Sequence, residues 1–135
     1  MNIIGNGVDI VYNKRISNSL KIKGFINRIF TENEINQSAN IKNKVNFYAK
    51  RFAAKEAFVK ALGTGFRNNI NFKDIEIKNS KNGKPSINIS KNIDNFLKKK
   101  LKINNHKIHL SLSDENKYSI AFVIISKSKW IKNFL

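Results

Sequence analysis

The run from Lys44 to Leu62 constrains the fold of this chain more than any other stretch. Phe47, Ala54, Phe58 and Ala61 recur on one helical stripe, and Gly63-Thr64-Gly65 stops the helix immediately afterwards. Ala53, Ala54, Ala57 and Ala61 are small, which implies that neighbouring elements pack closely against this helix. The rest of the chain has to be arranged around it.

Residues 2–12 alternate around Ile4, Val8 and Ile10 and read as a first strand. The opposite side of that strand carries Gly5, Gly7 and Asp9, where two missing side chains beside a carboxylate let something approach the backbone. Residues 14–30 mix Lys14, Arg15, Lys21, Lys23 and Arg28 with Ile16, Leu20, Ile22, Phe25 and Ile29, a basic and partly helical stretch. Thr31-Glu32-Asn33-Glu34 forms a capping box ahead of Ile35 and starts a short helix. After the long helix, Ile75-Glu76-Ile77 and Ser86-Ile87-Asn88-Ile89 alternate on either side of the hairpin signal Asn82-Gly83. A basic amphipathic helix follows, with Ile93, Phe96, Leu97 and Leu101 on its inner face. Two strands, His109 to Ser113 and Tyr118 to Ser126, flank the polar turn Asp114-Glu115-Asn116-Lys117. The segment from Lys127 to Leu135, with Trp130, Ile131 and Phe134, is expected to be a packed tail rather than a membrane-surface element. This order predicts an α+β fold, a mainly antiparallel sheet packed against one long helix, in a single domain over residues 1–135.

Composition limits the possible partners. The formal charge of +17 should attract polyanions such as nucleic acid, anionic lipid, a phosphate-rich cofactor or an acidic protein. The same charge accompanies an abundance of Lys, Asn and Ile, so part of it belongs to a solvated surface. Without cysteine there can be no disulfide, thiolate metal site or cysteine nucleophile, and a cytoplasmic location is expected. The N-terminal residues do not have the pattern of a signal peptide, and no apolar run approaches the roughly 20 residues that span a bilayer.

The chemistry concentrates in Arg51-Phe52-Ala53-Ala54-Lys55-Glu56-Ala57-Phe58-Val59-Lys60. Glu56 and Lys60 lie one turn apart on one face, and Arg51 and Lys55 repeat the spacing. In most helices such pairs are only surface ion pairs. Asp9, on the glycine side of the first strand, adds a second carboxylate from another element. Oxygen ligands from two elements suit Mg²⁺ when phosphate and water complete the shell. Lys60 and Arg51 would then neutralise charge on a transferring phosphoryl group. The Gly63-Thr64-Gly65 turn is expected to offer backbone N–H groups to phosphate oxygens. A nucleic-acid module is the main rival of another class, favoured by charge. Against it, the chain has no RNP-like aromatic strand, zinc ligands or clear helix-turn-helix, and its basic residues are scattered.

Four motifs occur in order: Gly7-Val8-Asp9-Ile10-Val11, the run Arg51 to Gly65, Asn82-Gly83-Lys84-Pro85, and His109-Leu110-Ser111-Leu112-Ser113-Asp114. Together they resemble the holo-acyl-carrier-protein synthase family of phosphopantetheinyl transferases over nearly the whole chain. The resemblance implies transfer of phosphopantetheine from coenzyme A to a serine of an apo acyl carrier protein, with adenosine 3′,5′-bisphosphate released. It also implies that Asp9 and Glu56 ligate Mg²⁺ and that Lys60 contacts the phosphates. Arg51, His109 and Lys84 fall near the nucleotide end of coenzyme A, and Gly63, Gly65 and Pro85 along its pocket. Arg15, Lys21, Lys23 and Arg28 match the basic helix offered to the acidic carrier. The family further implies a homotrimer with sites between subunits, and neither a membrane nor a nucleic acid among its partners. The base for the serine proton stays open among Asp9, Glu56 and a water on the metal.

Overall fold

A computed structural model describes residues 2–128. Trp130, Ile131 and Phe134 of the expected tail lie outside the described residues. Strand β1 (Asn2–Tyr12) leads into two short helices, α1 (Asn13–Leu20) and α2 (Phe25–Ile29), and then α3 (Glu32–Ser38) and the long α4 (Lys44–Leu62). A 3-10 turn (Phe72–Asp74), the hairpin β2 (Ile75–Asn79) and β3 (Pro85–Ile89), helix α5 (Lys91–Lys99), and strands β4 (His106–Asp114) and β5 (Tyr118–Lys127) complete the order. One sheet runs β1-β5-β4 and the hairpin forms a second, with every pairing antiparallel. The α+β class and the bounds of the long helix agree with the expectation.

The predicted ends hold where local chemistry sets them. Thr31 caps α3 through its side chain on the Glu34 N–H while Glu34 returns to the Thr31 N–H. Helix α4 stops at Gly63, whose φ of 79° is the left-handed conformation that closes a helix C-terminus. Two bounds move. Strand β4 begins at His106 rather than His109, because residues 106–108 pair with 125–127 of β5. Helix α5 ends at Lys99, so Leu101 lies beyond it and is exposed rather than on an inner face.

Helix α4 crosses the β1-β5-β4 sheet with its small residues inward; Ala53, Ala54 and Ala57 are fully buried. What approaches the glycine side of β1 is this helix. A Cβ at Gly5 would overlap the Ala61 carbonyl, and one at Gly7 the Ala57 carbonyl. The glycines therefore set how close strand and helix can lie, and Asp9 is carried against α4 with them. Gly7→Val is expected to destabilise the fold by about 3 kcal/mol, at the upper end of the cost of overpacking. Urea unfolding checks this, since a drop of under about 1 kcal/mol would mean that α4 can lift away.

The consequence for β1 reverses the simplest reading of its alternation. Val8 and Ile10 do not join the core but face outward on the far side of the sheet, 54% and 60% exposed. Tyr12, Tyr118, Ile120 and Phe122 extend this open apolar face. Burial against α4 falls instead to Val11 on β1, Ala121, Val123 and Ile125 on β5, and partly to Ile108, Leu110 and Leu112 on β4. Strand geometry places alternate residues on opposite faces, so only one set can meet the helix.

Candidate active site

Asp9, Glu56 and Lys60 come together where β1 passes α4. The Lys60 Nζ donates to Asp9 Oδ1 at 3.0 Å and to the Val8 carbonyl at 3.1 Å. The partner of Lys60 is thus the strand carboxylate rather than Glu56, its neighbour by helix spacing. Glu56, one turn back on α4, is half-buried. Burial holds its carboxyl above the usual range, and the charge of Asp9 pushes the same way; Lys60 and Arg15 oppose both. Arg15 projects from α1 with its guanidinium 5.9 Å from the Phe52 ring centre. Its place beside the acidic pair was not foreseen from its position in a basic stretch.

Two carboxylates that repel one another, from two elements, form a site a divalent cation would relieve. Among the described residues no group of three or more His, Cys, Asp or Glu gathers to hold a metal. The protein therefore offers a partial shell, which fits Mg²⁺ completed by phosphate and water rather than an ion enclosed by protein ligands alone.

Five residues before Glu56, α4 carries a buried cation into a cleft that Asp9, Glu56 and Lys60 do not line. Arg51 is 4% exposed, and its Nη2 donates to Asn79 Oδ1 at 2.7 Å and to Gln37 Oε1 at 3.2 Å. Its guanidinium carbon sits 3.5 Å from the Phe47 ring centre, and its Nε is buried without a hydrogen-bond partner among the described residues. Burial lowers its pKa to about 10, although Glu34 and then Tyr48 raise it. No carboxylate pairs with Arg51 among the described residues. The cleft in front of it has a volume of about 670 Å³ and includes Asn46, Lys50, Asn79 and Asp114 in its walls. A smaller hollow of about 350 Å³ shares Lys50, Asn79 and Asp114 and adds Lys84 and Pro85 from the hairpin. Asn79 links the two, accepting from Arg51 and pairing with Pro85 across the hairpin. Asp114 was read as a turn residue; it ends β4 and its side chain faces the cleft.

One expectation changes. The N–H groups of Gly63, Thr64 and Gly65 are all directed at the Val59 carbonyl, at 3.1, 3.3 and 3.4 Å. They satisfy the end of α4 and are not free for phosphate, and a helix C-terminus is the negative end of its dipole. What Gly63 and Gly65 contribute is open space, since a Cβ at either would meet nothing within 4 Å. His109 lies away from the acidic pair. Its β4 neighbours Ile108 and Leu110 face α4, so His109 belongs to the opposite face, where its Nε2 is 3.4 Å from Ser126 Oγ. One chain does not unite His109 with Asp9 and Glu56.

Lys21, Lys23 and Arg28 are exposed around the break between α1 and α2, with Ile22 exposed between the two lysines. The sequence reading missed the pairing of Lys55, which is fully buried. Its Nζ bonds Glu34 Oε1 at 2.7 Å and the Ile29 and Phe72 carbonyls at 2.8 and 3.1 Å. The capping box was the one available hint, because it placed Glu34 at a helix start.

With the geometry in place, comparison with known proteins identifies the class. The family model of the 4′-phosphopantetheinyl transferase superfamily matches residues 5–123, and the chain belongs to this superfamily of enzymes. Within it the similarity is to holo-[acyl-carrier-protein] synthases. That of Pelagibacter ubique (strain HTCC1062) is 55% identical over 127 residues, covering 94% of this chain and 99% of the relative. That of Zymomonas mobilis is 49% identical, covering 91% and 96%. The crystal structure of the Neisseria meningitidis synthase superposes with a TM-score of 0.82 at 39% identity, covering 93% of this chain and 99% of that one. The Bacillus anthracis synthase, solved in complex with CoA (3′,5′-ADP), superposes with a TM-score of 0.79 at 37% identity, covering 95% and 100%.

Proposed function

We propose that this chain transfers the 4′-phosphopantetheine group of coenzyme A to a serine of an apo acyl carrier protein. The observation that carries the proposal is the meeting of Asp9, Glu56 and Lys60 where β1 passes α4, in a chain that superposes on holo-[acyl-carrier-protein] synthase structures and has a cation-lined cleft further along α4. The serine oxygen forms a bond to the phosphorus that bears pantetheine, and the bond from that phosphorus to the adenosine bisphosphate oxygen breaks. Asp9 and Glu56 would hold Mg²⁺, which when bound reduces the repulsion between the attacking oxygen and the phosphate oxygens. Lys60, 53% exposed at its side chain, can leave Asp9 for the phosphates and balance charge on the departing bisphosphate. The serine proton passes to a carboxylate of the site or to water. Arg51, Lys50 and Lys84 form the cationic walls for the nucleotide. Apo-to-holo conversion of a carrier with Mg²⁺, and its loss with EDTA, tests the reaction.

We further propose a homotrimer whose sites are shared between subunits. The open apolar face of the sheet supports it, as does the position of His109 on that face, apart from the acidic pair. If a neighbour supplies His109, two inactive variants can repair one another. Mixing Asp9→Ala with His109→Ala after subunit exchange should restore about a quarter of wild-type activity, the fraction of random interfaces with both intact residues. Mixtures no more active than either variant would place each site within one chain.

The carrier protein docks at Lys21, Lys23, Arg28 and Ile22, a basic patch around an exposed apolar residue. Lys21→Glu with Lys23→Glu is expected to raise the carrier KM about tenfold, leaving that of coenzyme A within twofold. Equal effects on both would move docking elsewhere. No described helix is long and apolar enough to cross a membrane. A cytoplasmic enzyme without membrane or nucleic-acid partners completes the proposal.

A further inference from the structure

We propose that Asn13 is a positioning residue for both substrates, acting through a polar chain that starts buried at α1 and ends at the exposed rim of the cleft. The inference rests on the reaction proposed above. Asn13 is the first residue of α1 and is 4% exposed, yet its side chain does not cap its own helix. Instead, its Nδ2 lies 3.1 Å from Asn46 Oδ1, 3.1 Å from the Glu115 carbonyl and 3.2 Å from that of Asn116. Its Oδ1 accepts from the buried Ser119 Oγ at 2.8 Å, and its backbone N–H donates to the Lys117 carbonyl at 2.7 Å. One amide therefore joins β5, the β4-β5 turn, α1 and the first turn of α4.

The chain continues into the cleft. Asn46 Nδ2 donates to Asp114 Oδ2 at 2.9 Å, and Asp114 Oδ1 lies 3.8 Å from Lys50 Nζ. Asn46, Asp114 and Lys50 all line the cleft beside Arg51. Without the Asn13 amide, Asn46 Oδ1 loses its donor and can rotate, freeing Asp114 and with it the lysine at the rim. On the other side, Asn13 fixes where α1 leaves β1. Two residues later α1 carries Arg15, whose charge acts on Glu56, and after it the carrier-docking lysines. Its buried part, where Ser119 and two backbone carbonyls hold the Asn13 amide, restricts that amide to one orientation, which suits a positioning role.

Asn13→Asp keeps shape and the acceptor for Ser119 but removes the donor toward Asn46 and the two carbonyls. Calorimetric Kd for coenzyme A and steady-state KM for apo carrier would be compared among wild type, Asn13→Asp, Asn46→Ala, the double variant and Ser119→Ala. Asn13→Asp should weaken coenzyme A binding and raise the carrier KM about tenfold each, in the range that small misplacements produce. Asn46→Ala should weaken coenzyme A binding to a similar degree and leave the carrier KM within twofold. The double variant should bind coenzyme A no worse than either single one, because both cut the same chain. Ser119→Ala, which keeps the Asn13 donor but loosens its amide, should weaken coenzyme A binding less than Asn13→Asp does. Wild-type coenzyme A binding in Asn13→Asp despite a lower melting temperature would overturn the proposal, as would additive losses in the double variant. If Asn13→Asp does not fold, an Asn46→Ala protein with unchanged coenzyme A binding overturns it alone. A wild type that binds coenzyme A but transfers nothing counts against the reaction, and the binding series still decides the role of Asn13.

Discussion

Asp9→Ala and Glu56→Ala should each lower turnover about a thousandfold at saturating coenzyme A and carrier, the scale seen when a main stabiliser of transition-state charge is removed. The two residues stand on different elements, and nothing in the fold requires either carboxylate. Asp9 has a single described ion-pair partner, Lys60, which is itself half in solvent. The charge of Glu56 is opposed by its own burial and by Asp9. Losing either should therefore leave the protein folded. Glu56→Gln sharpens the prediction. A carboxyl whose folded pKa lies above its unfolded value binds more protons in the folded state, so its contribution worsens as pH rises through the interval between the two. At neutral pH the glutamine variant should melt above wild type in the absence of divalent cations. That advantage should vanish as pH falls below the ordinary carboxylate range. Activity should fall as it does for alanine. A variant less stable at neutral pH, or one that turns over normally, would mean that Glu56 is an ordinary structural glutamate.

Lys55→Met should cost about 3–5 kcal/mol of stability, because it strands the carboxylate of Glu34 in the core. Both partners of this pair are fully buried, and every oxygen of Glu34 is committed. Oε1 accepts from the Thr31 N–H as well as from Lys55, and Oε2 accepts from the Ile77 N–H at 3.1 Å. The carboxylate thus ties the start of α3 to α4 and to β2. Burial lowers the pKa of Lys55 while Glu34 raises it, so the lysine depends on this partner to stay charged. Glu34→Gln in the Lys55→Met background should recover part of the loss by removing the stranded charge while keeping an acceptor for the backbone. Denaturant unfolding measures both effects. A Lys55→Met cost below about 1 kcal/mol would show that water or another cation reaches Glu34. The pair sits one residue along α4 from Glu56, so these variants should also report how rigidly the site is held.

Most local features were legible in the sequence because short-range chemistry specifies them. The capping box at Thr31, the stop at Gly63, the hairpin at Asn82-Gly83 and the extent of α4 all depend on residues within a turn or two. Asp9, Glu56 and Lys60 could be nominated because their motifs resemble a known family, and the structure does bring them together. Pairings across the chain were not legible. Lys55 meets Glu34 across 21 positions, and Asn13 meets Ser119 across 106. Alternation in β1 located a strand without saying which side faces the core. That choice belongs to α4, whose close approach only glycine permits, and it leaves Val8 and Ile10 outside. The same strand geometry separates His109 from the carboxylates, which no motif could reveal. The N–H groups after α4 seemed free because the sequence does not show the Val59 carbonyl that takes them.

The central claim is most directly tested by the intact mass of an apo acyl carrier protein after incubation with this protein, coenzyme A and Mg²⁺, with parallel samples in EDTA. A gain of one phosphopantetheine group, absent in EDTA, is the expected result. Unchanged mass across several apo carriers, with a folded and coenzyme A-binding sample, would contradict the account.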